Sequence, residues 1–174
     1  MISPREYNCA TNDNEIYGEM DGNDFIHIIK ECPYTILKMI DVGSGCGKGL
    51  IYLCNSDIGN DLEYVCGIES NEYRYNKSKC LLSSQNNQIL NKLEFVCDDF
   101  KNISFATFDL VYCCNIMFDT DVNNKLIDKL LQEKIGIFIL YTIEHRCSHL
   151  FWKRIFVNTS WLSNVPVYIY WRDF

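Results

Sequence analysis

The sequence predicts an α/β fold: a mostly parallel, doubly wound sheet with helices on both faces, closed by an antiparallel hairpin at the C-terminal end. Three observations predict it. Short apolar runs alternate with helical periodicity through most of the 174 residues, the order that a parallel sheet with crossover helices requires. Two of these runs, residues 110–114 and 135–141, are continuously apolar, as strands covered on both faces are. The end of the chain instead carries two β-rich runs, 152–157 and 166–171, joined by seven residues at 158–164.

The elements follow in order. Phe25, Ile28, Ile29 and Cys32 recur at i, i+3, i+4 and i+7 and mark an amphipathic helix that Pro33 stops. Strands are expected at about 36–42, 63–69, 92–97, 108–114 and 135–142. Helices at about 48–56, 71–86 and 121–133 separate them. Leu93, Phe95 and Cys97 alternate as one face of a strand. Asp119 and Asp121 stand where carboxylates cap the helix that follows.

Composition narrows the classes. A chain of this length buries one core without staples, and 48% hydrophobic with 22% charged residues fits a globular protein. The net charge of −7 argues against a nucleic-acid surface, which needs a basic stripe, and is compatible with a basic protein partner. Residues 1–14 are polar, so no signal peptide is expected, and no run approaches the roughly 20 apolar residues that cross a bilayer. The ten cysteines include no C-x-x-C pair, and several fall in buried strands. They are expected to be free thiols serving as small core residues in a reducing compartment. His145 and His149, with Cys147 between, have metal-ligand spacing but no fourth ligand. They are expected to be solvent-exposed, and no metal site is assigned.

The chemistry concentrates where an open parallel sheet binds ligands, at the carboxyl ends of its strands. Ile36, Leu37, Met39 and Ile40 run into Asp41, and Gly43, Gly45 and Gly47 follow at alternating positions. Such a loop lets a ligand approach backbone with no Cβ in the way. The dinucleotide fingerprint needs glycine at 48, where Lys48 stands. This loop resembles motif I of class I S-adenosylmethionine-dependent methyltransferases, and the C-terminal hairpin resembles the one that closes their Rossmann-like sheet. Glu69, ending the second strand, can accept both ribose hydroxyls; otherwise it caps the next helix. Asp98, Asp99 and Phe100 follow the third strand, where a carboxylate can meet the adenine amino group and a ring can stack on the base. Asn115 and Phe118 follow the fourth, where the methyl acceptor normally arrives. The two prolines that mark amino-methylating nucleic-acid enzymes there are absent.

Tyr17-Gly18-Glu19, the amphipathic helix and the glycine loop together resemble the non-SET "disruptor of telomeric silencing" histone lysine methyltransferases. The likeness continues through Gly67-Ile68-Glu69, Asp99-Phe100, Asn115-x-x-Phe118, Ser160-Trp161 and Pro166-Val167, from about residue 13 to residue 173. It implies methyl transfer from S-adenosylmethionine to a lysine of the nucleosome core. In this resemblance Tyr17 and Glu19 close over the methionine end of the cofactor. Asp41, Gly43, Ser44, Gly45, Gly47 and Lys48 form its floor, with Glu69 at the ribose and Asp99 and Phe100 around adenine. Asn115, Phe118, Trp161 and a tyrosine of the pair Tyr168 and Tyr170 line the lysine channel, Asn115 and Trp161 also touching the cofactor; spacing leaves open whether Tyr168 or Tyr170, or instead Ile169, points inward. Lys48 stands where the family tends to carry Gln, which suggests a direct ionic contact to the cofactor carboxylate.

The whole chain, 1–174, is then expected to be one methyltransferase domain: a lid segment and helix at 1–34, a nucleotide-binding core at 35–145 and the hairpin at 146–174. The family's large helical N-terminal portion and basic tail are missing, so DNA contact is expected to be weak or indirect, through histones or local cations such as Arg74, Lys77 and Lys79. The chain is expected to be an intracellular monomer in the nucleus, a host nucleus if it is viral. The alternatives are a methyltransferase for a non-histone protein or small molecule, and a catalytically silent cofactor-binding subunit.

Overall fold

The computed structural model describes Met20 and residues 22–173; Tyr17, Gly18 and Glu19 lie outside the described residues. Seven strands form one sheet in the order β3-β2-β1-β4-β5-β7-β6. They are β1 (Lys38–Val42), β2 (Tyr64–Glu69), β3 (Leu93–Cys97), β4 (Leu110–Cys113), β5 (Ile137–Leu140), β6 (Phe151–Val157) and β7 (Val165–Trp171). The first five are parallel. β7 inserts antiparallel between β5 and β6, pairing Leu140 with Tyr168 and Ile137 with Trp171. This is the class I methyltransferase fold. The chain runs outward from β1 to β3 and then returns to β4, so the switch in strand order lies between β1 and β4. The crevice it opens is at their carboxyl ends.

The period of two along each strand divides the core. Met39, Val65, Leu110, Tyr112, Ile137 and Ile169 face the side covered by α1 (Gly22–Lys30), α2 (Lys48–Cys54), α3 (Glu72–Ser83) and α4 (Asn87–Leu90). Ile40, Cys66, Ile68, Val111, Phe138 and Tyr170 face the side covered by α5 (Thr120–Gln132) and the segment carrying Phe100, Phe105 and Phe108. The five inner strands therefore need apolar residues on both faces, which explains the continuous apolar runs of β4 and β5.

The expected elements are present, with boundaries that coincide or shift by at most three residues. Short pieces without a readable period were not anticipated: α4 and the 3-10 turns at Ile58–Asp61, Phe100–Asn102 and Asn115–Met117. Helix starts obey their capping chemistry. Asp119 accepts the Val122 N–H at 2.8 Å, and Asn71 accepts the Arg74 N–H at 3.1 Å, each satisfying a donor that the first turn leaves open. His145 and His149 lie exposed on a 3-10 turn, His145–Leu150, and no group of three or more metal-capable side chains occurs among the described residues. No described helix is long and apolar enough to cross a membrane.

One expectation is corrected. Eight described cysteines are free thiols, but Cys46, inside the glycine loop, is disulfide-bonded. A disulfide requires two sulfurs close in space, which spacing along the chain does not reveal.

Candidate active site

The glycine loop between β1 and α2 is held by its own backbone. The N–H groups of Gly43 and Ser44 both donate to the Ile68 carbonyl, at 2.8 and 2.9 Å, so the loop is folded across the end of β2. Gly43, Gly45 and Gly47 all have positive φ. Two of them are glycine for different reasons. At Gly47 a Cβ would stand 2.1 Å from the Phe95 ring, so core packing forbids a side chain. At Gly43 (φ +82) a Cβ would meet nothing within 4 Å; the backbone there is bare and faces open space.

That space is a cavity of about 450 Å³ along the carboxyl edge of the sheet, within the usual range for small-molecule sites. Its wall is drawn from the ends of four strands. Val42 and Gly43 come from β1, Ile68, Glu69 and Ser70 from β2, and Asp98, Asp99 and Phe100 follow β3. Cys114, Ile116, Met117 and Phe118 follow β4, with Val122 and Arg74 from helices and Trp161 from the β6–β7 loop. A second space of about 30 Å³ lies toward α1 and α2, bounded by Met20, Phe25, Asp41, Ser44, Gly45 and Tyr112 among others. Gly43 and Cys114 belong to the walls of both.

Glu69 is the anchor of the larger cavity. It is 5% exposed. One carboxylate oxygen accepts the Gly45 N–H at 2.9 Å; the other accepts the Asn71 N–H at 2.8 Å and faces the Arg74 Nε at 3.4 Å. An ionised carboxylate has about four acceptor positions, so capacity remains for a diol. Phe100 and Phe118 lie nearly parallel, planes 10° apart and centroids 6.3 Å apart, offering flat faces at the cavity wall. Burial alone would raise the Asp99 carboxyl, but hydrogen bonds from the Lys101 side chain and N–H hold it below the usual carboxylate range. Asp99 is therefore an ionised acceptor. Burial pushes the Cys114 thiol up to about 12, so it stays protonated at neutral pH.

The residues fit a nucleoside joined to a zwitterionic amino acid. Bare backbone at Gly43, a carboxylate with spare acceptor capacity at Glu69, and aromatic faces at Phe100 and Phe118 share one wall. Asp41, Ser44 and Gly45 bound the smaller space beside it. The Ser44 hydroxyl oxygen is buried and lacks a hydrogen-bond partner among the described residues, a polar group that a ligand could satisfy. Lys48 opens α2, half-buried; it is not part of either wall as described.

The structure brings Gly43, Glu69, Asp99, Phe100, Phe118 and Trp161 to one cavity. It does not bring Asn115, Tyr168 and Tyr170 there. The Asn115 side chain turns into the protein: its amide nitrogen donates to Asn123 Oδ1 and Thr142 Oγ1, both at 2.6 Å. Its oxygen accepts the Tyr141 and Thr142 N–H groups at 2.9 and 3.3 Å. It thus ties the end of β4 to the end of β5 and to α5. Tyr170 is buried, stacked on Phe138 at 4.9 Å, and its hydroxyl accepts the Glu144 N–H at 2.8 Å. With Tyr168 it lines a separate cavity of about 430 Å³ beside Ile143, Phe151 and Arg154. Sequence reasoning missed Cys114, Ile116 and Met117 as wall residues, and placed Arg74 among surface cations. A cation in the first turn of a helix, where the macrodipole disfavours it, was the available signal for Arg74.

Solved structures share this fold at low sequence identity. The methyltransferase domain of bacterial CtHen1-CN aligns with a TM-score of 0.68 at 10% identity, covering 87% of this chain and 97% of that one. An RNA methyltransferase from Salinibacter ruber, in complex with S-adenosyl-L-homocysteine, aligns with a TM-score of 0.62 at 14% identity, covering 86% and 88%. Magnesium protoporphyrin IX methyltransferase from Synechocystis PCC 6803, with bound S-adenosylmethionine, gives 0.61 at 14% identity, covering 87% and 78%. No curated protein matches the sequence. These likenesses show the fold of class I methyltransferases. The model of the family described as histone methylation protein DOT1 matches residues 3–149. The chain belongs to that family.

Proposed function

We propose that this protein transfers a methyl group to the ε-amine of a lysine in the histone core of nucleosomes. The observation that carries the reading is the match over residues 3–149 to a family described by histone methylation. The cavity suits the chemistry. Bound S-adenosylmethionine supplies a methyl group on a sulfonium, an electrophile that a neutral amine displaces from in line. In this reading Glu69 and Asp99 hold the ribose and the adenine, with Phe100 against the base. Ile116, Met117 and Trp161 line the cavity and are each more than two-fifths exposed, so they form its rim.

An amine crossing that apolar rim loses water, which disfavours its charged form and frees its lone pair. The Phe118 and Trp161 rings favour the positive charge that the methylated product retains. The N–C bond forms as the C–S bond breaks, and the proton lost beforehand passes to solvent. Cys114, kept neutral by burial, does not compete as a thiolate. The net charge of −7 is compatible with a basic histone surface, and in this reading the protein acts in a nucleus.

The test is transfer of labelled methyl groups to reconstituted nucleosomes, free histones and a panel of small amines in parallel. The reading expects nucleosomal histone lysines to be labelled. Labelling confined to free histones or to small amines would refute it, and cofactor binding without transfer to any of them would favour a regulatory subunit.

A further inference from the structure

The cavity wall contains three carboxylates, Glu69, Asp98 and Asp99, and among the described residues one cation, Arg74. Arg74 is the third residue of α3, whose N-cap Asn71 accepts its backbone N–H. The first turn of a helix favours anions and penalises cations. A local rule broken inside a binding cavity is more often functional than accidental. Arg74 is also mostly buried, its side chain 17% exposed, with Nε 3.4 Å from the Glu69 carboxylate.

The connections form a closed path. Glu69 ends β2 and accepts the Asn71 N–H. Asn71 caps α3 through Arg74, and the Arg74 side chain returns to the same Glu69 oxygen. The other oxygen is bound to the glycine loop through Gly45. Asn71 and Arg74 therefore grip one edge of the carboxylate and Gly45 the other, which leaves it little rotational freedom.

We propose that Arg74 is a positioning residue for the cofactor: it holds Glu69 in the orientation that receives the ribose diol, and so sets nucleoside affinity through Glu69. This rests on Glu69 being the ribose acceptor, and not on the identity of the methyl acceptor. It also takes Arg74 away from the surface cations available to nucleosomal DNA. Preorganising an acceptor before the ligand arrives raises affinity by removing an ordering cost from the binding step.

The experiment is a double-mutant cycle read by calorimetric titration of the full chain with S-adenosylhomocysteine. Its variants are Arg74→Ala, Glu69→Gln and the pair, with Arg74→Lys as the conservative replacement. Arg74→Ala is expected to weaken binding about threefold to tenfold, the scale of a mostly buried ion pair, and Arg74→Lys by less. Because Arg74 acts through Glu69, adding Arg74→Ala to Glu69→Gln is expected to change affinity by under about twofold, a coupling that a purely structural role does not produce. Thermal midpoints of all four proteins identify any loss that comes from unfolding. Losses that simply add would overturn the role of Arg74 while leaving Glu69 in place. No loss in Glu69→Gln alone would overturn the ribose assignment, and the proposal with it.

Discussion

The Glu69 carboxylate and the Gly45 N–H are hydrogen-bonded at 2.9 Å, so the end of β2 and the glycine loop behave as one unit. Both belong to the carboxyl edge that the strand order opens between β1 and β4. Replacing Glu69 by Ala leaves the Gly45 and Asn71 N–H groups without this acceptor. Each orphaned buried donor costs about 1–3 kcal/mol. Glu69→Ala should therefore lower the urea midpoint as well as cofactor affinity. An unchanged midpoint would mean the carboxylate does not organise the loop.

Gly43 and Gly47 separate binding from packing. Alanine at 47 puts a methyl group 2.1 Å from the Phe95 ring and should cost more than about 2 kcal/mol, as overpacked cores do. Alanine at 43 meets open space and pays only for its left-handed backbone, about 1–2 kcal/mol. Thermal melts of the two variants should differ in that order. The reverse order would contradict the packing described.

Asn115 acts in the frame of the site. Its side chain satisfies two buried N–H groups and two side-chain oxygens across β4, β5 and α5. Asn115→Ala should destabilise the fold by about 2–4 kcal/mol, measured by denaturant unfolding. A variant of unchanged stability that loses only methyl transfer would instead make Asn115 a direct contact to substrate.

Thiol chemistry provides an independent check on the cavity wall. Burial raises the Cys114 thiol to about 12 and that of Cys66 to about 12, whereas Cys80 and Cys97 are exposed. Alkylation with iodoacetamide near pH 8 should label Cys80 and Cys97 in the folded protein and reach Cys114 only after unfolding, since the thiolate is the reactive form. Peptide mass spectrometry reads the order. Early labelling of Cys114, which is half-buried at the cavity wall, would contradict its raised pKa.

The parts of this account that were legible in the sequence are those set by strand ends. Asp41, Gly43, Glu69, Asp99 and Phe100 each follow an apolar run directly, and a parallel sheet delivers every such position to one edge. Long periodic elements were legible for the same reason, and α4 and the 3-10 turns were not, being too short to show a period. Side-chain direction was the harder quantity. Asn115 leaves its strand in a 3-10 turn that points it inward, and the pairing of Tyr168 with Leu140 and Tyr170 with Phe138 sets both tyrosines on the α5 side. Neither follows from spacing. Arg74 reaches Glu69 only because α3 folds back over the end of β2, a contact between elements that sequence periodicity does not contain.

The central claim is that one cavity at the carboxyl edge, floored by the glycine loop, holds the methyl donor. Calorimetric titration of the wild-type chain and of Gly43→Arg with S-adenosylmethionine tests it most directly. The wild type should bind at a single site, and the Gly43→Arg protein, with a side chain standing where backbone is now bare, should be folded and show no binding. Retained binding by folded Gly43→Arg would contradict the assignment of the loop and of everything built around it.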